Sequence, residues 1–225
     1  MKDKKTLKIG RSEFDLIIKG NHYFVDKTML IHEFYYNAND IILMPRPKRF
    51  GKTLNLSMIE HFFDIQKPES KDLFTEFEIS KHKEFCEEHQ NKYPVINITL
   101  KDIKEESWER CYNSFKELIT ELYIKYDFLI ESDKLKNTDK KSIEAIIAET
   151  ASELKYKSAL KNLSTYLQAH FNNNVIILVD EYDTPIINAF KNTSPPIKSE
   201  RGKKTYYEKV IDFMQGFLGK AYKGN

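Results

Sequence analysis

Short apolar runs alternate along the chain with longer segments in which apolar residues recur at helical spacing. The run at residues 40–44 leads into a segment with two prolines. Because proline cannot donate a hydrogen bond to a strand ladder, this pattern predicts a buried strand followed by a loop. After the loop, Leu54, Met58 and Phe62 are spaced one helical turn apart, which predicts a core-facing helix. The first predicted unit is therefore strand, loop, helix.

The rest of the chain continues this alternation. Residues 93–100 are rich in β-branched side chains, and residues 175–179 form the most apolar run, which predicts a central strand buried on both faces. Residues 131–141 have the composition of an exposed loop, and residues 191–204 that of a mobile loop. Further helices are predicted where apolar residues share one helical face: Cys111, Phe115, Leu118 and Leu122; Leu160, Leu163 and Leu167; Val210, Phe213 and Phe217.

Strands separated by helices predict an α/β layered fold with right-handed crossovers. Neither an internal repeat nor a linker rich in glycine and serine divides the chain, so residues 1–225 are expected to form a single domain. The chain has seven glycines, and Gly51 is the one glycine between Gly20 and Gly202. Such isolation suggests that Gly51 has a specific role.

The loop after the first predicted strand contains part of a phosphate-binding motif. The pattern G-x-x-x-x-G-K-[ST] is matched at its last three positions by Gly51, Lys52 and Thr53, whereas Arg46 replaces its first glycine. The chemistry requires a close backbone approach to phosphate, a lysine at the terminal phosphates and a hydroxyl for magnesium. A helix N-terminus behind the loop adds its dipole and its amides.

Two adjacent acids follow the most apolar predicted strand. Asp180 and Glu181 stand at its C-terminal end, where α/β folds bind their ligands. In P-loop ATPases the first acid holds magnesium, usually through water, and the second orients or deprotonates the attacking water. The two motifs are therefore expected to face one crevice and to form a nucleotide site.

A purely structural interpretation is also open. Gly51 could be a turn glycine, Lys52 a solvated side chain, and the acidic pair a strand end. Asp183 and Thr184 would then cap a helix that begins near Pro185.

Four segments of the chain resemble the predicted AAA-ATPase-like family of microbial proteins. They are Tyr23-Phe-Val-Asp-Lys-Thr, Arg46-Pro-Lys-Arg-Phe-Gly-Lys-Thr-Leu-Asn-Leu-Ser, Tyr93-Pro-Val-Ile and Leu178-Val-Asp-Glu-Tyr-Asp-Thr-Pro-Ile. The resemblance covers about residues 8 to 222, and arginine habitually replaces the first motif glycine in this family.

The resemblance implies a P-loop NTPase-like, mostly parallel sheet with flanking helices and a helical insertion. It implies nucleotide contacts for Arg46, Arg49, Gly51, Lys52 and Thr53. It also implies a magnesium role for Asp180, beside Thr53, and a hydrolytic role for Glu181. Asp26 and Lys27 match a family signature to which no role is assigned.

Relatives in this family commonly carry a PD-(D/E)XK nuclease-like domain after the ATPase, which would bring a nucleic-acid partner. In ATPases with this acidic pair, a further strand carries a polar sensor for the γ-phosphate and comes later in the sequence. Here one loop and one helix are predicted after Asp183. The fold is therefore expected to be incomplete at its C-terminus, and ATP binding is a firmer expectation than hydrolysis.

Composition narrows the functional classes. With 36 basic and 34 acidic residues the formal net charge is +2, which is not the excess typical of a nucleic-acid-binding protein. No apolar run approaches the roughly 18 residues that span a bilayer, and the N-terminus does not have the pattern of a secretion signal. Two cysteines, Cys86 and Cys111, cannot form a disulfide framework. These features predict a cytoplasmic protein without a membrane partner.

Three weaker patterns favour structural interpretations. His82, Cys86 and His89 share a helical face, but interleaved glutamates favour a solvated face over a zinc site. The basic segment at 198–204 is more typical of a solvated loop than of a nucleic-acid site. The aromatic residues at 34–36 are expected to pack a helix against the sheet rather than to stack on bases.

The sequence thus predicts an α/β P-loop domain that binds ATP with Mg²⁺. In this hypothesis Lys52 neutralises the β and γ phosphates, and Thr53 and Asp180 hold the metal. Glu181 prepares the attacking water, and Arg49 is a second phosphate contact. The alternative is a non-hydrolysing interaction module that uses the same fold to hold a protein partner or nucleic acid.

Overall fold

The computed structural model describes residues 6–7, 10–45, 50–193 and 204–222. It divides into two compact units, Met1–Asn97 and Ile98–Asn225. Because the boundary falls within β1 (Val95–Thr99), this strand belongs partly to each unit.

The first unit is helical up to the beginning of β1. Its helices are α1 (Phe14–Lys19), α2 (Met29–Tyr35), α3 (Lys52–Phe63) and α4 (Lys83–His89), with 3-10 helices at Pro68–Phe74 and Glu78–Lys81. The predicted helix after the phosphate loop is confirmed as α3, whose side chains Met58, Ile59 and Phe62 are fully buried.

Aromatic rings form the core of the first unit. Phe74 stacks on Phe14 with ring centroids 5.0 Å apart, and it meets Phe62 edge-on at 5.2 Å. Both geometries are favourable for aromatic pairs. The core therefore joins α1, α3 and the first 3-10 helix, and it holds α3 in a fixed place.

Asp26 joins the extended segment before α2 to the second 3-10 helix. Its Oδ1 accepts hydrogen bonds from the amide and hydroxyl of Thr28, at 2.8 and 2.7 Å, and its Oδ2 accepts from the amide of Glu78 at 2.8 Å. The Thr28 hydroxyl in turn accepts from the amide of Ile79 at 3.2 Å. Within the first unit, Asp26 therefore has a structural role that the sequence did not indicate.

The second unit contains the remaining helices and β2. They are α5 (Trp108–Lys125), a 3-10 helix at Asp127–Glu131, α6 (Asn137–Ile147), α7 (Glu153–Lys157), α8 (Ala159–Phe171), β2 (Ile176–Asp180), α9 (Thr184–Asn192) and α10 (Tyr206–Tyr222). The three helices predicted in this region are confirmed as α5, α8 and α10.

The apolar faces of these helices form the core of the second unit. Phe115 of α5 packs on Phe213 of α10 with ring centroids 4.6 Å apart, and Phe213 stacks on Phe217 at 6.1 Å. The buried Tyr123 hydroxyl donates to the backbone oxygen of Ala159 at 2.9 Å. A buried hydroxyl needs such a partner because its unpaired burial is costly.

The predicted combination of helices and strands is confirmed, and the sheet is small. Within the described residues the sheet consists of β1 and β2 in parallel. The strands predicted at 93–100 and 175–179 are both present. The prediction of a central strand buried on both faces is wrong for the described chain, because β2 pairs with β1 alone and Ile176, Ile177 and Val179 are partly exposed. Apolar content shows a tendency to be buried, but it does not show how many neighbours a strand has.

Three other element predictions are corrected. Residues 40–44 form no strand, and Ile41 and Leu43 are 53% and 61% exposed. The polar segment at 131–141 becomes helical from Asn137, where α6 begins, because its charged residues lie on the exposed side of an amphipathic helix. Helix α9 continues through Asn192, so the predicted loop at 191–204 begins later, and residues 194–203 lie outside the described chain.

A separate observation is that no helix of the described residues is long and apolar enough to cross a membrane.

Candidate functional site

The phosphate-loop residues lie at the N-terminus of α3. Gly51 immediately precedes the helix with φ 74°, and its backbone oxygen accepts from the amide of Asn55 at 2.9 Å. This left-handed conformation favours glycine, and a Cβ there would meet no atom within 4 Å. The glycine is therefore required by backbone conformation rather than by space.

Lys52 and Thr53 are the first two residues of α3. The first amides of a helix have no partner within the helix, and its dipole places partial positive charge at this end. An exposed threonine and a partly exposed lysine at such a position are well suited to an anion with several oxygens. Arg46 and Arg49 lie outside the described residues.

A cavity of about 290 Å³ lies in the first unit near the beginning of this loop. It is formed by α2 and by the extended segment that precedes the loop. Its apolar lining includes Leu30, Phe34, Ile42 and Met44, and Glu33 adds one carboxylate. The segment predicted as a strand thus contributes to a cavity wall.

The two acids lie at the end of β2, as predicted. Asp180 is the last residue of the strand and is 6% exposed, whereas Glu181 is half-buried. The backbone oxygen of Asp180 accepts from the amide of Leu100 at 3.0 Å. Asp180 Oδ1 accepts from the amide of Glu181 at 3.1 Å. The strand end is therefore held by both backbone and side-chain contacts.

Glu181 has a backbone conformation that is unusual for its residue type. Its φ is 51°, in the left-handed region, which costs about 1 to 3 kcal/mol for a residue other than glycine. The amide of Thr184 donates to the backbone oxygen of Glu181 at 3.0 Å, and the Thr184 hydroxyl donates to Glu181 Oε2 at 3.4 Å. The turn between β2 and α9 therefore fixes the backbone of Glu181 and places the Thr184 hydroxyl beside its carboxylate.

Helix α9 is itself fixed one turn after Thr184. The backbone oxygen of Glu105 accepts from Asn188 Nδ2 at 2.5 Å and from the Tyr206 hydroxyl at 2.9 Å. Asp183 precedes the helix, but its side chain makes no capping hydrogen bond, so the capping role proposed for it is not observed. Pro185 is buried in the first turn, a position that tolerates proline because no amide is required there.

The structure brings the site residues together within each unit. Gly51, Lys52 and Thr53 belong to the first unit, and Asp180 and Glu181 belong to the second. Each group has local geometry that is consistent with its motif. The common crevice remains a prediction.

The donor chemistry of these residues fits magnesium. The Thr53 hydroxyl of the first unit and the Asp180 carboxylate of the second unit are each an oxygen donor, the type of group that Mg²⁺ prefers. A magnesium ion with a nucleotide is bound by one or two protein carboxylates together with phosphates and waters. Within the described ranges there is no group of three or more His, Cys, Asp and Glu side chains that could hold a metal ion, and a site of this kind does not require one.

The predicted solvated face of α4 is only partly correct. Glu84, Glu87 and Glu88 are exposed. Cys86, in contrast, donates through Sγ to the backbone oxygen of Ile79 at 3.3 Å. The ring of His89 lies 4.0 Å from that of Tyr35, and burial lowers the pKa of His89. The side chains of Cys86 and His89 therefore pack against the rest of the first unit and do not form a solvated face.

Two other candidate binding features also have structural partners. Tyr35 packs against Phe63 and Phe85 of helices α3 and α4. A packing role for this aromatic segment is therefore observed, but the predicted partner, the sheet, is wrong for Tyr35. Lys204, at the end of the basic segment, pairs with Asp212 at 3.2 Å. The other residues of that segment lie outside the described chain.

A serine, a histidine and an aspartate form a chain of contacts that the sequence did not indicate. Ser70 Oγ lies 3.0 Å from His61 Nδ1, and His61 Nε2 lies 3.5 Å from Asp15 Oδ1. Their sequence separation follows no nucleophile motif. Because Ser70 is 2% exposed and the three side chains join α1, α3 and the first 3-10 helix, we interpret the group as structural.

A comparison with known protein families shows a match that covers nearly the whole chain. The family model described as Predicted AAA-ATPase matches residues 8–223. No curated protein matches the chain significantly, and neither does any solved structure.

Proposed function

Because the chain belongs to the predicted AAA-ATPase family, we propose that it binds ATP with Mg²⁺ and hydrolyses it. The observation that carries the proposal is the left-handed Gly51 followed by Lys52 and Thr53 at the N-terminus of α3. The family match, whose range includes these three residues, supports the same function. The proposed compartment is the cytoplasm, where Cys86 and Cys111 would remain the free thiols that the structure contains.

In this proposal the phosphates bind at the beginning of α3. The Lys52 ammonium neutralises the β and γ phosphates, and the first amides of the helix donate to their oxygens. Arg46 and Arg49 add contacts from the loop. The cavity lined by Leu30, Phe34, Ile42 and Met44 belongs to the same unit, and its apolar walls suit a flat heterocyclic base.

The metal would be held by Thr53 and Asp180. When bound, Mg²⁺ neutralises charge on the β and γ phosphate oxygens. Low exposure of Asp180 supports this role, because a carboxylate shielded from water interacts more strongly with a cation. Glu181 is more exposed than Asp180, which suits a group that takes a proton from an attacking water.

A thermal melt with and without Mg-ATP tests binding. Ligand at about 100 times its dissociation constant stabilises the native state by about 2.7 kcal/mol, which raises Tm by roughly 5 to 10 °C for a chain of this size. We expect Lys52→Ala to abolish this shift. Lys71→Ala, a change at an exposed lysine of the same unit, should retain it. A full Tm shift with Mg-ATP in Lys52→Ala would show that Lys52 does not contribute to the nucleotide site.

Phosphate release tests hydrolysis. We expect wild type to release phosphate from ATP and Glu181→Gln to retain only a small residual activity, while Glu121→Gln, a change at an exposed position of α5, keeps the full activity. Equal background release by all three proteins, together with a ligand-induced shift in Tm, would favour the alternative of a non-hydrolysing module.

A further inference from the structure

The turn after β2 holds Glu181 in a conformation that its own backbone does not favour. The left-handed φ of 51° persists only when surrounding contacts determine it. Those contacts come from both sides of the residue, since Asp180 Oδ1 accepts its amide and the amide of Thr184 donates to its backbone oxygen. The turn consequently sets the direction of the Cα–Cβ bond of Glu181, whereas the carboxylate is three rotatable bonds further away.

One side-chain contact acts directly on the Glu181 carboxylate. The Thr184 hydroxyl lies 3.4 Å from Oε2, which is longer than the roughly 2.5 to 3.0 Å typical of O–H···O hydrogen bonds. Contacts of catalytic groups are often long without substrate and shorten in the complex. Thr184 begins α9, and Asn188, one turn later, is bonded to the backbone oxygen of Glu105. The hydroxyl is thus presented by a fixed helix rather than by a free loop.

We propose that Thr184 is a positioning residue for Glu181, whose hydroxyl holds the carboxylate in the direction from which it takes a proton from water. This inference rests on the proposed ATPase function. Thr184 acts through Glu181 and has no role in nucleotide affinity. A hydroxyl on a β-branched side chain suits this role because such a side chain has few rotamers.

Steady-state kinetics of phosphate release can distinguish a role of Thr184 in positioning Glu181 from a role in binding Mg-ATP. Thr184→Val keeps the shape of the side chain and removes the donor, so we expect kcat to fall by about 10- to 100-fold while KM for Mg-ATP changes less than about twofold. Thr184→Ser keeps the hydroxyl and should restore most of the turnover. Thr165→Val, at an exposed hydroxyl of α8 that bonds only within its own helix, should behave as wild type.

The decisive comparison uses a background without the carboxylate. If Thr184 acts through Glu181, then Thr184→Val should cause no further loss in Glu181→Gln. An equal proportional loss in both backgrounds, a rise in KM without a fall in kcat, or wild-type turnover in Thr184→Val would overturn the proposal.

Thermal unfolding tests the contact independently of turnover. Thr184→Val should lower Tm by about 1 to 4 °C in wild type and leave it unchanged in Glu181→Ala. If wild type releases no more phosphate than Lys52→Ala, the proposed ATPase function is wrong. The Tm values of wild type, the two single variants and the double variant then still test whether Thr184 contacts Glu181. Equal Tm changes in the two backgrounds would show that the hydroxyl does not hold Glu181.

Discussion

Asn97 of β1 donates a hydrogen bond of 2.6 Å through Nδ2 to Oε2 of Glu60, near the C-terminus of α3. Glu60 is 7% exposed, and its other carboxylate oxygen pairs with Lys67 at 2.8 Å. A buried carboxylate of this kind is stable only when its oxygens have partners. The helix that begins at the phosphate loop is thereby bonded to the strand within the first unit.

Removing the Glu60 carboxylate should destabilise the protein. We expect Glu60→Ala to lower the free energy of unfolding by about 2 to 4 kcal/mol, since Asn97 and Lys67 both lose a partner and a cavity is left. Urea denaturation measures the change. Glu121→Ala, on the exposed side of α5, should remain within about 0.5 kcal/mol of wild type. Equal stability of the two variants would show that the contact contributes nothing.

The sequence predicted helices well because their pattern is local. Met58 and Phe62 are one turn apart, so the face that they share could be recognised without knowledge of the fold. Strand environment is not local. Ile41 and Leu43 are as apolar as a buried strand, but no partner strand covers them in the described chain, and a partner cannot be recognised from residues 40–44 alone.

The same distinction applies to the candidate site. Gly51, Lys52 and Thr53 are consecutive, and their motif could be read directly. Asp26 could not be assigned a role, because its partner Glu78 lies 52 residues away along the chain. The Thr184 hydroxyl was interpreted only as a possible cap, since the left-handed turn that directs it to Glu181 depends on backbone geometry.

Asp26 should stabilise the first unit without contributing to nucleotide binding. We expect Asp26→Ala to lower the free energy of unfolding by about 0.5 to 1.5 kcal/mol, because the amides of Thr28 and Glu78 lose their acceptor at a position that water can reach. Lys27→Ala, at the exposed neighbouring position, should be nearly neutral. Urea denaturation and Mg-ATP titration of both variants check this. Loss of binding in Lys27→Ala at unchanged stability would instead assign that signature residue to the site.

The contribution of Asp26 also has a defined pH range. Burial alone would raise the pKa of Asp26, but hydrogen bonds from Glu78 and Thr28 outweigh it and leave the pKa below 3.8. The stabilisation is therefore present above about pH 3.8 and is lost as pH falls from there through the lower native pKa. A smaller decline of stability in Asp26→Ala than in wild type over the same acid range would agree with this sign. Part of the decline should remain, because the pKa values of Asp15 and Asp212 are also lowered.

Two glycines of α10 should respond differently to alanine. A Cβ on Gly216 would lie 3.2 Å from Lys157 Cβ of α7, whereas a Cβ on Gly219 would meet nothing within 4 Å. Gly219→Ala should raise the free energy of unfolding by about 0.5 to 1 kcal/mol through helix propensity. Gly216→Ala should lose this gain, and Gly216→Leu should be destabilised by about 1 to 3 kcal/mol. Equal gains in stability in both alanine variants would show that Lys157 of α7 can move away from the added methyl group without loss of stability.

The buried ring of His61 should make stability depend on pH near neutrality. Burial, and then the charge of Lys67, lower the pKa of His61 below 6.5, and the opposing carboxylates of Asp15 and Glu60 do not compensate. As pH falls below about 6.5, the unfolded chain takes up the proton first, so the free energy of unfolding decreases. The decrease is complete once the pH lies below the lower native pKa.

Urea denaturation at about pH 7.5 and about pH 5.5 measures this dependence. We expect wild type to lose stability between the two conditions and His61→Gln to lose less. Part of the dependence should remain in His61→Gln, because burial also lowers the pKa of His89. His61→Gln combined with His89→Gln should therefore have the flattest profile. An unchanged slope in the double variant would mean that neither ring titrates at lower pH in the native state than in the unfolded chain.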